Sequence, residues 1–158
     1  VKMPAIKSFT AKDVCAALGG ISRSKLHMWA QLPPFCDRPT RERSARRFTK
    51  ADLITFAALQ TLEDTLGMKR RDVQRVSAAV HRYVSAPRQA PGAELIFIPQ
   101  ENLDEGEAVY LLRGQNPTGL GWVVDMSKER ERIDWYLGFE CSQRELPLIT
   151  NIASGQQR

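Results

Sequence analysis

FTAKDVCAALGGISRSKLHMWAQLPPFCDRPTRERSARRF, residues 9–48, is the stretch that decides how this chain is read. It divides into a helix, a tight glycine turn, a second helix and an arginine-rich loop. Thr10 is placed to cap the first helix by accepting an orphan backbone N–H of the first turn. Asp13 follows three residues later, where a carboxylate can bond back to the cap and favours the positive end of the helix dipole. Phe9 and Val14 have the spacing of a hydrophobic staple. The helix is expected to bury Val14, Ala17 and Leu18 and to stop at Gly19-Gly20, since glycine tolerates the left-handed backbone of a sharp helix end. Ile21 then plugs the gap between the helices, and Ser22 caps the second. There Leu26, Trp29 and Leu32 face inward, leaving Arg23, Ser24, Lys25 and His27 outward near the N-terminal end. Donors and small polar groups at that end suit a helix whose first turns enter a major groove. Pro33-Pro34 ends it.

The loop from Cys36 to Arg47 holds Arg38, Arg41, Arg43, Arg46 and Arg47 against two acids, Asp37 and Glu42. Such a loop suits a β-hairpin wing lying over phosphates; the plainer alternative is a solvated loop. Phe48-Thr49-Lys50-Ala51-Asp52-Leu53 repeats the helix-start grammar of Phe9–Val14, although nothing else recurs at that spacing. The helix it opens is expected to run from Thr49 to about Thr65, with an apolar stripe at Leu53, Phe56, Leu59, Leu62 and Leu66, and to end at Gly67. A further helix is expected over Arg70–Val84, its seam formed by Val73, Val76, Val80, Tyr83 and Val84.

Residues 86–92, with Pro87, Pro91 and Gly92, cannot continue a helix. The charge changes sign there too. Residues 1–90 carry 17 Lys+Arg against 7 Asp+Glu, and residues 91–158 carry 6 against 11. A basic half joined to an acidic half suits a polyanion-binding module followed by one that avoids polyanions. The expected organisation is a helical domain over 1–86, a linker over 87–93, a small β-rich domain over 94–153 and a tail over 154–158. The fold class is α+β. Glu94–Ile98, Ala108–Leu112 and Leu120–Asp125 read as short strands, and Leu146–Ile152 as a last one. Lys128–Phe139 fits either a strand or a helix. A module of about 60 residues is marginal alone, so it is expected to lean on the helices or on a twin copy.

In order, these elements resemble the MerR-type winged helix-turn-helix regulators. Ile21–Trp29 looks like the recognition-helix segment of that family, Ser44–Leu53 like its wing exit, and Leu66-Gly67-Met68 like the start of its fourth helix. The resemblance covers roughly residues 9–84. It implies that Lys25 and His27 contact DNA from the recognition helix, that Arg46 contacts the backbone from the wing, and that Trp29 is core. His27, Met28 and Ala45 stand where the family usually has an arginine, an aromatic and a tyrosine. Pro87 and Pro91 interrupt the position of its long dimerisation helix. The winged domain also resembles those of phage excisionases and small packaging subunits, which bend or bridge DNA.

The sequence shows no phosphate-binding loop, no dinucleotide fingerprint, no HExxH and no GxSxG, so an enzyme is not expected. Cys15, Cys36 and Cys141 lack metal-ligand spacing, and no cofactor is implied. An odd cysteine count without a CxxC pair suits a reducing cytoplasm. No apolar run approaches the ~20 residues of a membrane-spanning helix. The expectation is a homodimeric regulator binding double-stranded DNA. Recognition helix 22–32 would enter the major groove through Arg23, Ser24, Lys25 and His27. Wing 36–47 would hold phosphates through Arg41, Arg43, Arg46 and Arg47. The C-terminal domain would dimerise, sense a small molecule or touch a protein. The alternatives are a DNA-bending, excisionase-like factor and a protein-interaction adaptor.

Overall fold

The computed structural model of the protein describes residues 8–38, 46–88, 93–101, 103, 110–114 and 116–138. Its first two helices are short. α1 (Ala11–Ala17) opens on a full capping box, with Thr10 accepting from the Asp13 N–H and the Asp13 carboxylate accepting from the Thr10 N–H. Gly19 and Gly20 follow at φ 80° and 82°, a region that side chains with a Cβ rarely enter, and they turn the chain into α2 (Arg23–Ala30), capped by Ser22. Residues Phe35–Asp37 form a single 3₁₀ turn. Within the described residues, the entry to the arginine-rich loop is therefore not a strand, and residues 39–45 lie outside them.

α3 (Lys50–Gln60) opens on a second capping box, Thr49 with Asp52. The residues preceding the two boxes meet: Phe9 and Phe48 exchange backbone hydrogen bonds of 2.7 and 2.9 Å in an antiparallel bridge. The expected single apolar stripe on α3 proves too narrow, because every residue from Asp52 to Leu59 is buried. A helix buried all round is a central element rather than a surface one. Phe56 stacks on Phe35 at 4.6 Å and on Trp29 at 6.1 Å, and Phe48 meets it edge-on at 5.7 Å. α3 then loosens into a π-helical turn, Thr61–Thr65, closed by a 3.0 Å bond from the Leu66 N–H to the Thr61 carbonyl. α4 (Arg70–Ser85) packs against α3 through Val73, Val76, Val80 and Val84, all buried.

The second half is a three-stranded antiparallel sheet in the order β2-β1-β3, with β1 at Leu95–Pro99, β2 at Tyr110–Leu111 and β3 at Gly121–Asp125. Ile96 pairs with Leu111 on one side and with Val124 on the other. Gly121 lies so close to β1 that an added Cβ would stand 2.3 Å from the Ile98 carbonyl oxygen. The ambiguous stretch after β3 is a helix, α5, over residues 126–138. Its Met126 and Ile133 are fully buried. The alternation of Ile133, Trp135 and Leu137 is thus incidental, and Trp135 is largely exposed. The stretch read as a last strand and the tail lie outside the described residues.

Both halves feed one apolar cluster, in which Ile96, Ile98, Val124, Met126 and Ile133 join the side chains of α1 to α4. Polar ties reinforce it. The buried Glu94 carboxylate accepts from Arg130 Nε at 2.9 Å. Burial, together with the Glu94 charge, pushes the Tyr83 hydroxyl up to about 12. Among the described residues no helix is long and apolar enough to cross a membrane.

Candidate functional site

A groove of about 560 Å³ opens between α1, α2 and the chain entering α3. Arg23, Ser24, His27 and Arg46 line it, over an apolar floor that includes Leu26 and Phe48. Four residues singled out from sequence thus share one concavity. Arg23 and Ser24 occupy the first turn of α2 and are exposed. His27 is exposed one turn on, its Nε2 paired with the Gln31 amide at 2.8 Å.

Lys25 departs from its neighbours. Its ammonium lies 2.6 Å from both carboxylate oxygens of Asp64 in the π turn and 5.2 Å from the centroid of the Trp29 ring. The same edge of α2 is held again through Trp29. Trp29 Nε1 donates to Glu63 at 2.9 Å, and Arg70 donates to the other Glu63 oxygen at 2.7 Å. Trp29 is core, 1% exposed, with its one polar atom satisfied. The Lys25–Asp64 pair is partly exposed on both sides, and such pairs are worth about 0–1 kcal/mol.

Arg46 also has an internal partner. Its Nη1 donates at 2.8 Å to the Ala30 carbonyl, at the end of α2 where carbonyls lack partners within the helix. The guanidinium therefore ties the chain leaving the arginine-rich loop to the C-terminus of α2. Arg47 is exposed. It stands near enough to Asp13 to help hold that carboxyl below its usual range, an effect due first to the Thr10 N–H and hydroxyl. Arg41 and Arg43 lie outside the described residues.

Local pattern did not reveal a buried centre at the other root of the loop. Asp52 is fully buried, yet it accepts from both Nη atoms of Arg38 at 2.5 and 2.6 Å, from the Thr49 N–H at 2.8 Å, and pairs with His81 Nε2 at 2.9 Å. Burial alone would raise its pKa, but the Arg38 and His81 hydrogen bonds outweigh it and hold the carboxyl well below the usual carboxylate range. Phe35 covers the centre, with Arg38 5.3 Å from its ring centroid and the His81 ring edge-on at 5.3 Å. Arg38, counted with the loop cations from sequence, is thus a structural arginine. The partners stand 14 and 29 residues from Asp52, and no short motif encodes such separations.

Chemistry beyond this is sparse. Cys15 is buried, which pushes its thiol up, and Cys36 is exposed. No group of three metal-ligating side chains occurs among the described residues. Comparison with protein-family models, with curated proteins and with solved structures finds no match to this chain.

Proposed function

We propose that this chain is a DNA-binding regulator of the winged helix-turn-helix type, resembling the MerR regulators, with α2 entering the major groove. The observation that carries the reading is the exposed first turns of α2. Arg23, Ser24 and His27 present donors beside a groove that Arg46 also lines, on the half of the chain whose net charge is +10 (17 less 7). In this reading Arg23, Ser24 and His27 lie nearest the bases. Arg47, together with Arg41 and Arg43, neutralises phosphates. Arg46 fixes the end of α2. Lys25 exchanges Asp64 for the duplex, a small cost for an exposed pair. The protein acts in the cytoplasm as a homodimer, its second half supplying the twin contact or a ligand site.

A second reading has one observation in its favour. The floor of the groove is apolar, and the neighbouring Met28 is 43% exposed, which suits an adaptor holding an acidic amphipathic partner. Titration of duplex affinity against salt separates the two. Release of counterions from about 4–6 phosphates gives a log–log slope of roughly −4 to −5. A flat response at low affinity supports the adaptor. Arg23→Ala is expected to relax base preference by about 1–3 kcal/mol at one position, whereas Arg47→Ala weakens binding to every duplex alike.

A further inference from the structure

The end of α3 touches both halves of the molecule at once. Arg132 of α5 donates to Gln60 Oε1 at 2.5 Å, and Gln60 Nε2 donates at 3.1 Å to the carbonyl of Leu18, the residue that ends α1 and precedes the two turn glycines. The next residue, Thr61, donates its hydroxyl to the buried Glu129 of α5. Two and three residues further on, Glu63 and Asp64 hold Trp29 and Lys25 of α2. Four residues within Gln60–Asp64 therefore receive α5 on one side and hold the end of α1 and two residues of α2 on the other. Thr61, Glu63 and Asp64 belong to the π-helical turn, a departure from α-helical geometry often found at functional sites.

From this juxtaposition we infer that Gln60 is a positioning residue for α2, through which the second half of the chain sets how the exposed end of α2 is presented to DNA. The inference rests on the DNA-binding reading above for its use, but not for its physical content. Coupling of this kind travels through hydrogen bonds between packed elements, and here two direct bonds meet at one side chain. Gln60 suits the relay because its amide offers an acceptor to Arg132 and a donor to Leu18 at the same time. Neither a carboxylate nor an ammonium can do both. α5 needs no contact with DNA to change its affinity. It needs only to hold or release the amide that braces the glycine turn.

Two variants of the full chain test this. Arg132→Ala removes the α5 side of the relay at a side chain 37% exposed, so the core stays filled. Gln60→Glu keeps an acceptor for Arg132 but cannot donate to Leu18. Amide hydrogen exchange is followed at Gly19 and Gly20. Affinity is measured for a duplex that the wild-type protein enriches from a random pool, and for a mixed-sequence duplex. Both variants are expected to speed Gly19 and Gly20 exchange by roughly two- to tenfold, the weight of one hydrogen bond. Affinity for the enriched duplex should fall by a similar factor, with mixed-duplex affinity and its salt slope unchanged. Wild-type exchange at both glycines in both variants overturns the relay. Faster exchange with undiminished affinity for the enriched duplex overturns its positioning role. If the wild-type protein enriches no duplex, the DNA reading fails, and the exchange result still decides whether α5 braces the turn.

Discussion

Two capping boxes of the same Thr-x-x-Asp form begin α1 and α3, and they have become different things. At Thr10–Asp13 the carboxylate accepts from the threonine N–H and hydroxyl, both at 2.9 Å; it remains partly exposed and serves one helix end. At Thr49–Asp52 the reciprocal backbone bonds of the box form again, but the carboxylate is buried and two further side chains from distant elements converge on it. The comparison shows how a local motif acquires tertiary weight. The box fixes where an aspartate points, and the fold decides whether anything else arrives there. Asp52 points between α3 and α4, and Arg38 comes in from the loop entry. The second box therefore fastens one root of the loop, while the first only starts a helix.

Breaking the boxes one at a time should make the difference measurable. Asp52→Ala should cost about 3 kcal/mol, the low end of what removing one partner of a buried pair costs, since Arg38 keeps access to water. Asp13→Ala should cost about 1 kcal/mol, the ordinary weight of a helix cap. Denaturant midpoints at constant slope compare them, and equal losses would mean that the Asp52 centre adds nothing beyond its cap.

Acid sharpens the comparison. Both aspartates have pKa values lowered on folding. Each therefore contributes stability that is present above the unfolded value and lost as pH falls through the folded one. Wild-type stability should decline below about pH 4, the unfolded range. That decline should be shallower in Asp52→Asn than in Asp13→Asn, because the larger downward shift belongs to Asp52.

Glu129 provides the opposite sign. Its pKa is raised, first by burial. One oxygen takes the Thr61 hydroxyl bond, and the other has no hydrogen-bond partner, with Arg132 no nearer than 3.7 Å. A raised pKa gives stability that is present at low pH and lost as pH rises through the folded value. Glu129→Gln should therefore gain on the wild type as pH increases through and above the unfolded carboxyl range of about 4. A constant difference from pH 4 to 8 would show that Glu129 is not strained when ionised. The smallest effect should come from Asp64→Ala, which frees Lys25 and costs at most about 1 kcal/mol of stability. Duplex affinity should rise by a few-fold at low salt, and a fall would show that Asp64 orders α2 more than it competes with DNA.

Much of this was legible in the sequence because it is local. The caps at Thr10, Ser22 and Thr49, the glycine turn and three short strands each follow from residues within a few positions of one another. The burial of Val14, Leu26 and Trp29 follows from helical spacing. What was not legible depends on chain segments far apart in sequence. Arg38 and Arg46 were read as loop cations because their partners, Asp52 and the Ala30 carbonyl, stand 14 and 16 residues away. Lys25 was read as free because Asp64 is 39 residues downstream. α5 stayed ambiguous because Ile133, Trp135 and Leu137 satisfy a strand period by chance, and only the burial of Met126 and Ile133 in the common apolar cluster decides the matter. The candidate site was thus visible as a set of exposed donors on α2, and the internal duties of its other cations were not.

The central claim is that the exposed first turns of α2 are the surface that meets duplex DNA. Mapping backbone amide shifts as a wild-type-enriched duplex is added tests it most directly. The account predicts that the largest changes fall on Arg23, Ser24 and His27, followed by Arg46 and Arg47. Changes centred on the sheet and α5, with α2 unmoved, would contradict it.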